Sequence, residues 1–374
     1  MSNPEEARAL CLEALRKATN QSSNLKAFVG LDGFVDEIIH VVDKREDANT
    51  FVRIPTIAAY ADRIAEASGK STNIELVTQR IKLGGNGPIM ANALAALGVG
   101  VSYVGALGYP NLHPVFQPLD EKGDVFSIAE AAHTDALEFE DGKLMLGKMT
   151  PLNEVTWPII QERMGRKTFE ERIGTADLIS FVNWTMVPYM SEIWEALLDE
   201  NVLPDRSQNR VGFFDLCDPA KRENDDLLRA MELLGRFRKH VRVILGLNEK
   251  ESLELAELYG IKEGEDSPEG RCQMTKQLFA KLDVDILVVH PVAYALAVTE
   301  EETTWVPGPF VAKPVITTGA GDHFNAGFCL GQLLNLSPSM SLNLGVSTSG
   351  HYVRSGHSPS IHNLEEILKN WPSA

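Results

Sequence analysis

The sequence lacks the features that mark several classes of protein. Its four cysteines, Cys11, Cys217, Cys272 and Cys329, stand alone, so neither a disulfide framework nor a zinc knuckle is expected. No apolar run is long enough to span a bilayer, because the longest, residues 284–298, contains a charge and a proline. The N-terminal segment carries acidic residues where a secretory signal would carry basic ones. These absences predict a cytoplasmic protein.

Positive charge is also scarce. Lys and Arg number 35 against 52 for Asp and Glu, which gives a formal net charge of −17. This balance argues against nucleic acid and against an anionic membrane surface as partners. An acidic enzyme can still bind a nucleotide where backbone amides and a metal ion supply local positive potential. With 374 residues, 44% of them hydrophobic, the chain can bury a large core.

Short apolar runs recur along the chain, and a helical pattern follows each of them. Strands that alternate with helices predict an α/β fold with a mostly parallel sheet and helices on both faces. Ligands bind such sheets beyond the carboxyl ends of the strands. The runs that we predict as buried strands are residues 26–30, 101–105, 176–182, 210–215, 241–247 and 285–290.

Two segments, at about 37–53 and 133–150, interrupt this alternation. The second contains Asp141-Gly142 between two strand-like runs, which is a hairpin signal. We predict that the two segments form a small β-sheet, a lid over the site, inserted in a domain that spans residues 25–374. Residues 1–24 are predicted to be an N-terminal helical extension. The oligomeric state stays open; an apolar lid face would favour a homodimer through the lid.

The most informative segment is VITTGAGDHFNAGF, residues 315–328, where a glycine turn opens a helix. Such a turn leaves backbone N–H groups free at the positive end of the helix dipole, which suits an anion. Asp322 lies beside them and could accept a proton from an attacking alcohol while the amides hold a phosphoryl group. The alternative is that Gly319 and Gly321 serve a tight turn and Asp322 caps the helix.

Two blocks in the sequence are similar to known signatures. TTGAGDHFNAGF resembles the C-terminal signature of the ribokinase-like (PfkB) carbohydrate kinase family, and GGNGPIMANALAALG resembles its diglycine signature. Weaker blocks, FVGLDGFVDEI, GFFDLCDP, LNEKE and YVRSGHSPS, fall in the family order after about residue 25. The resemblance implies a ribokinase-like three-layer α/β/α core with a β lid, and Mg-dependent transfer of the γ-phosphate of ATP to a hydroxymethyl group of a sugar, a sugar phosphate or a nucleoside.

The resemblance also implies roles for individual residues. Asp322 would be the base, and the anion hole would be Gly319, Ala320 and Gly321. Asp36, Gly84, Gly85 and Asn86 fall where the family binds substrate hydroxyls, and Asp32 would share that task. The nucleotide would be held near Asn248, Glu251, Thr318, Gly319 and Gly321, and Asn248 and Glu251 would also hold magnesium through water.

Several of these assignments have structural alternatives. Asn86-Gly87-Pro88 is also a favourable helix start, with Pro88 at the first helical position. Asn248 and Glu251 have the spacing of a capping box at a helix start. Asp32 follows a buried strand four positions before Asp36, and it could simply fix the turn there. His323 is predicted to be a helix-surface residue, because consecutive helix positions point about 100° apart.

The sequence departs from the family pattern on the nucleotide side. HPVAYA, residues 290–295, stands where a glycine-rich turn is usual, so Val292 and Ala295 predict an obstructed or strained turn. Ile316 replaces the aspartate that many members link to a monovalent-cation site, so that cation is not expected. Three alternatives follow: a kinase with an unusual donor pose, a kinase with another phosphoryl donor, or a lapsed kinase that binds a ligand or a partner without turnover.

Overall fold

The computed structural model describes residues 4–205 and 210–372. The strands are β1 (Lys26–Leu31), β2 (Phe34–Arg45), β3 (Phe51–Arg53), β4 (Leu76–Gly84), β5 (Gly100–Gly105), β6 (Asp124–Ser127), β7 (Ala132–Glu138), β8 (Lys143–Lys148), β9 (Leu178–Phe181), β10 (Val211–Asp215), β11 (Arg242–Leu247), β12 (Ile286–Val289), β13 (Tyr294–Val298) and β14 (Thr303–Pro307). The helices are α1 (Pro4–Ser22), α2 (Ile57–Ala65), α3 (Asn86–Ala96), α4 (Gln117–Asp120), α5 (Trp157–Ile160), α6 (Arg166–Gly174), α7 (Met190–Asp199), α8 (Asn224–Phe237), α9 (Glu249–Leu258), α10 (Pro268–Phe279), α11 (Ala320–Leu333), α12 (Pro338–Ser355) and α13 (Ile361–Lys369).

Nine strands form the large sheet, in the order β14-β13-β12-β11-β10-β9-β1-β5-β6. The strands from β12 to β6 in this order pair in parallel, and β13 and β14 add an antiparallel edge. All residues of β9, β10 and β12 are buried, because helices cover both faces of the sheet, and this burial selects continuous apolar runs. The predicted α/β fold and all six predicted strands are confirmed.

A second, five-stranded sheet, here called the lid sheet, is built around β2. This strand pairs with β4, β7 and β3, and β8 pairs with β7. The two predicted segments lie in the lid sheet, but β4 belongs to it as well and was not predicted. Most residues of β4 are solvent-exposed, so the strand carries no apolar signal. Ile81, Met145 and Leu146 are exposed on the lid sheet, and pairing of two lids stays a prediction.

The N-terminal helix α1 packs on the rest of the chain. Cys11 and Leu15 are fully buried in a cluster shared with α3, α11 and α12. The domain boundary at residue 25 therefore does not coincide with a boundary in packing. None of the helices within residues 4–205 and 210–372 is long and apolar enough to cross a membrane.

Candidate active site

A cavity of about 290 Å³ lies between the lid sheet and the carboxyl ends of the central strands. Its polar lining includes Asp36, Asn86, Thr134, Asn183, Lys221, Thr318 and Asp322, and its apolar lining includes Phe34, Ile89, Met145 and Met149. A larger cavity, about 640 Å³, lies at the amino ends of β11 and β12 and contains none of the predicted site residues. The smaller cavity is therefore the candidate active site.

Asp322 lies in the first turn of α11, directly after the glycine turn. Gly319 precedes the helix with φ of 91°, a left-handed conformation that glycine adopts without strain. The Asp322 side chain is buried, and burial raises its pKa well above the ordinary value. The negative charge of Asp32 raises this pKa further, whereas a hydrogen bond from Asn86 and the charge of Lys82 lower it. A buried carboxyl group with a raised pKa is a suitable proton acceptor.

The amides of the glycine turn are not equivalent. The Ala320 N–H donates to the carbonyl oxygen of Thr317 at 3.1 Å, which closes the turn. Within the described part of the chain, no acceptor is found for the N–H groups of Gly319 and Gly321. Ala320, predicted as an anion-hole residue, thus uses its amide within the turn, and Gly319 and Gly321 present free donors.

Asp36 projects from β2 and pairs with Lys82 on β4. Its Oδ2 lies 3.6 Å from the Lys82 Nζ, and the two side chains are only 5% and 11% exposed. Burial raises the Asp36 pKa, and the charge of Lys82 opposes this rise. Gly84 faces the same carboxylate, because a β-carbon at Gly84 would lie 2.3 Å from the Asp36 Cγ. Gly84 thus leaves room for Asp36, and Lys82 is a site residue that the sequence did not reveal.

Asp32 is fully buried and holds the start of α3. Its carboxylate accepts the N–H groups of Asn86 and Gly87, both at 2.9 Å, and the Asn183 amide at 2.6 Å. Burial raises its pKa to about 6, although these donors act in the opposite direction. The hydrogen bonds support the alternative that Asp32 fixes the turn, with Gly85 there at φ of 93°. Asp36 and Asn86 line the cavity, whereas Asp32 does not.

Asn248 and Glu251 form the capping box at the start of α9. The Asn248 Oδ1 accepts the Glu251 N–H at 2.9 Å, and the Glu251 carboxylate accepts the N–H groups of Asn248 and Asp218 at 2.8 and 2.9 Å. Both oxygens of the buried Glu251 are therefore occupied by protein donors. Neither residue lines the cavity.

Asp215, at the end of β10, is a second residue that we did not predict. Its Oδ2 accepts the Asn325 amide at 3.2 Å, and its buried Oδ1 has no hydrogen-bond partner among the residues described. Burial, then the charges of Glu251 and Asp322, raise its pKa well above the ordinary value. Its position at the carboxyl end of a parallel strand was the signal available in the sequence.

The region offers part of a magnesium site, namely one carboxylate oxygen that is without a protein partner among the described residues. Within the described residues, no three His, Cys, Asp or Glu side chains come together as a metal cluster. Mg²⁺ in kinases is usually bound by one or two carboxylates, with water and substrate phosphates completing the octahedron. The free Asp215 Oδ1 is compatible with such a site.

Two predictions about neighbouring residues were wrong. His323 is not on the surface: only 2% of it is exposed, and its ring stacks on Tyr352. The turn after β12 is not strained, and obstruction of the nucleotide by the Val292 side chain stays a prediction. Val292 is fully exposed, Ala295 lies in β13, and neither has a positive φ. The reason is that a short antiparallel connection to β13 requires no glycine at these positions.

Solved structures share this architecture. The ribokinase of Thermotoga maritima superposes with a TM-score of 0.61 at 17% identity, over 92% of this chain and 99% of its own. The Arabidopsis thaliana ribokinase, solved with ribose and ATP, gives 0.61 at 17% identity, over 92% and 98% of the two chains. At such low identity the likeness defines the fold, which is that of ribokinase-like carbohydrate kinases.

The sequence comparisons are more specific. A ketohexokinase of Haloferax volcanii is 29% identical over 376 residues, which are 99% of this chain and 98% of the relative. The sequence model of the prokaryotic ketohexokinase family matches residues 4–371. The chain belongs to this family, and it is a carbohydrate kinase.

Proposed function

We propose that this enzyme transfers the γ-phosphoryl group of ATP to a hydroxymethyl group of a ketohexose, with Asp322 as the general base. The observation that carries the proposal is the position of Asp322: buried, in the wall of the cavity, and beside the free amides of Gly319 and Gly321. The similarity to a ketohexokinase over nearly the whole chain supports the choice of substrate.

The sugar would lie beneath the lid sheet. Asp36 and Asn86 present an acceptor and an amide to its hydroxyl groups, and Thr134 and Asn183 add polar contacts. Lys82 favours the ionised form of Asp36, which makes that carboxylate a strong acceptor. The cavity, about 290 Å³, is near the small end of ligand sites, as a single sugar requires.

The nucleotide would lie across the N-terminus of α11, outside the sugar cavity. Exposed apolar side chains in the adjoining loops, Val292, Phe310 and Val315, offer contacts for its base. Asp215 would hold magnesium directly, and Asn248 and Glu251 would do so through water. The bound ion supplies positive charge to the donor phosphates.

In this mechanism the sugar hydroxyl loses its proton to the Asp322 carboxylate as its oxygen bonds to the γ-phosphorus. The bond between that phosphorus and the bridging oxygen breaks, and ADP leaves with the electron pair. The N–H groups of Gly319 and Gly321 donate to the equatorial oxygens of the transferring group. The products are a ketohexose phosphate, ADP and a proton that Asp322 later releases.

A coupled ADP-release assay tests the proposal, with fructose and other ketohexoses compared with aldoses, nucleosides and fructose 6-phosphate, each with ATP and magnesium. We expect turnover with a ketohexose, and phosphate on one of its hydroxymethyl carbons by NMR. Absence of turnover with every ketohexose would refute the substrate. A lapsed kinase predicts instead that a sugar raises the melting temperature without ADP release, by about 2.7 kcal/mol of stability at 100 times its Kd.

A further inference from the structure

Two side chains hold the carbonyl groups of the glycine turn from behind. The Tyr352 hydroxyl, on α12, donates to the carbonyl oxygen of Thr318 at 2.9 Å. The Nδ1 of His323, on α11, lies 2.7 Å from the carbonyl oxygen of Gly319. The two rings stack with centroids 3.7 Å apart and planes 13° apart. The aromatic pair therefore fixes two consecutive peptide groups of the turn.

Because a peptide group is planar, a hydrogen bond that fixes its carbonyl oxygen also fixes the direction of its N–H. In a trans peptide the carbonyl oxygen and the following N–H point in opposite directions. Holding the Thr318 oxygen towards Tyr352 therefore turns the Gly319 N–H away from Tyr352, on the side where Thr318 and Gly319 line the cavity. Holding the Gly319 oxygen towards His323 directs the Ala320 N–H to Thr317, which closes the turn.

The turn needs such restraint because glycine permits rotation of the flanking peptide groups. Gly319 has a left-handed φ of 91°, and glycine populates positive and negative φ about equally. A rotated Thr318–Gly319 peptide would present a carbonyl oxygen, instead of an N–H, to the incoming phosphate. Among the described residues, the Thr318 oxygen accepts no other donor than Tyr352, whereas the Gly319 oxygen also accepts the His323 backbone N–H at 3.1 Å.

The His323 ring is itself held in one tautomer. A carbonyl oxygen can only accept, so Nδ1 carries the proton, and Nε2 accepts the Ser358 hydroxyl at 2.8 Å. Ser358 in turn accepts the Asn92 amide at 3.0 Å. Because Asn92 lies on α3, this chain of bonds joins the glycine turn to the helix that carries the sugar side of the site.

We propose that His323 and Tyr352 are positioning residues for phosphoryl transfer: Tyr352 aims the Gly319 amide at the transferring group, and His323 keeps the turn closed and stacks on the Tyr352 ring. The inference rests on the proposed anion hole and names the residues that keep it in order. Neither side chain touches the substrate; each acts through a backbone carbonyl. Their removal should therefore lower kcat more than it raises KM, since the aimed donor matters most in the transition state.

The test compares variants that keep or remove each bond. Tyr352→Phe removes only the hydroxyl, and His323→Gln moves the side-chain amide away from the Nδ1 position. Removing an oxyanion donor costs about 100- to 1000-fold, so misaiming one should lower kcat by about 10- to 100-fold. His323→Asn places an amide donor near the Nδ1 position and should restore most of kcat. Tyr259→Phe, beyond α9, is the matched control and should leave kcat unchanged.

A binding measurement separates positioning from a merely structural role. ADP with aluminium fluoride and ketohexose mimics the transferring group, and its affinity in Tyr352→Phe should fall by the same factor as kcat. The affinity for ADP alone should not change. Equal losses for both, or equal kcat for His323→Asn and His323→Gln, would overturn the inference.

Different results would refute the proposed function, namely no turnover of any ketohexose by the unmodified enzyme or full turnover by Asp322→Asn. In either case the comparison of ADP with and without aluminium fluoride still tests whether Tyr352 and His323 position the turn. A selective loss of fluoride-dependent affinity in the variants would support the inference, and an absence of selectivity would refute it.

Discussion

Replacing Asp322 by Asn separates chemistry from folding at the centre of the site. The amide keeps the shape of the side chain and an acceptor for the Asn86 hydrogen bond, but it cannot take a proton. Loss of a general base lowers kcat by about 10²- to 10⁴-fold. This corresponds to about 3–5 kcal/mol of transition-state free energy.

The stability of Asp322→Asn should not fall together with its kcat. Burial and the charge of Asp32 both raise the Asp322 pKa above its unfolded value, so the ionised form opposes folding at neutral pH. A neutral amide removes this opposition, and the melting temperature should stay the same or rise. We would measure kcat by coupled ADP release and unfolding by scanning calorimetry. A variant that keeps kcat within tenfold of the unmodified enzyme would refute the assigned base, and a large loss of stability would show that the carboxylate has a structural role.

Three further substitutions test the surroundings of the base. Lys82→Met removes a cation that lowers the pKa values of Asp36 and Asp322, so the acid limb of the kcat/KM profile should move to higher pH. The control, Lys82→Arg, keeps the cation and should leave the acid limb in place. A move of the acid limb to lower pH in Lys82→Met would contradict the argument. Gly84→Ala places a β-carbon 2.3 Å from the Asp36 Cγ and should displace that carboxylate. The KM for ketohexose should then rise about 10- to 100-fold, which corresponds to the loss of a hydrogen bond to a charged group. An unchanged KM would show that Asp36 does not bind the sugar. Asp215→Asn should raise the magnesium concentration for half-maximal rate without changing the KM for sugar, and an unchanged magnesium dependence would exclude Asp215 as a ligand.

The parts of the structure that follow local rules were predictable. The central strands are buried on both faces, so their sequences are mostly apolar, and these apolar runs are sufficient to predict them as strands. The glycine turn was also predictable from the sequence, because the left-handed conformation before α11 favours glycine. Helix capping was also readable, and the Asn248–Glu251 spacing gave the capping box that the structure contains.

The remaining parts depend on contacts between distant segments. Strand β4 is mostly exposed, so only its pairing with β2 defines it, and Lys82 became a site residue through that pairing alone. His323 was misplaced because its environment comes from Tyr352, a residue on the next helix along the chain. Asp215 differs, since its place at a strand end was visible, but only the structure shows its unpartnered oxygen.

The two helices that begin at the site differ in one respect that bears on the substrate. Both α3 and α11 follow a glycine with positive φ, and both direct N-terminal amides to the site. At α3 the carboxylate of Asp32 accepts the N–H groups of Asn86 and Gly87, and among the described residues only the Gly85 N–H at this end is without an acceptor. At α11 the amides of Gly319 and Gly321 have no acceptor within residues 4–205 and 210–372, so this end suits the transferring phosphate. The side chains around the sugar cavity carry both signs of charge, because Lys82 pairs with Asp36 and Lys221 is part of the lining. The proposed preference for a neutral ketohexose over a sugar phosphate therefore rests on the similarity to a ketohexokinase, and the comparison of fructose with fructose 6-phosphate tests it.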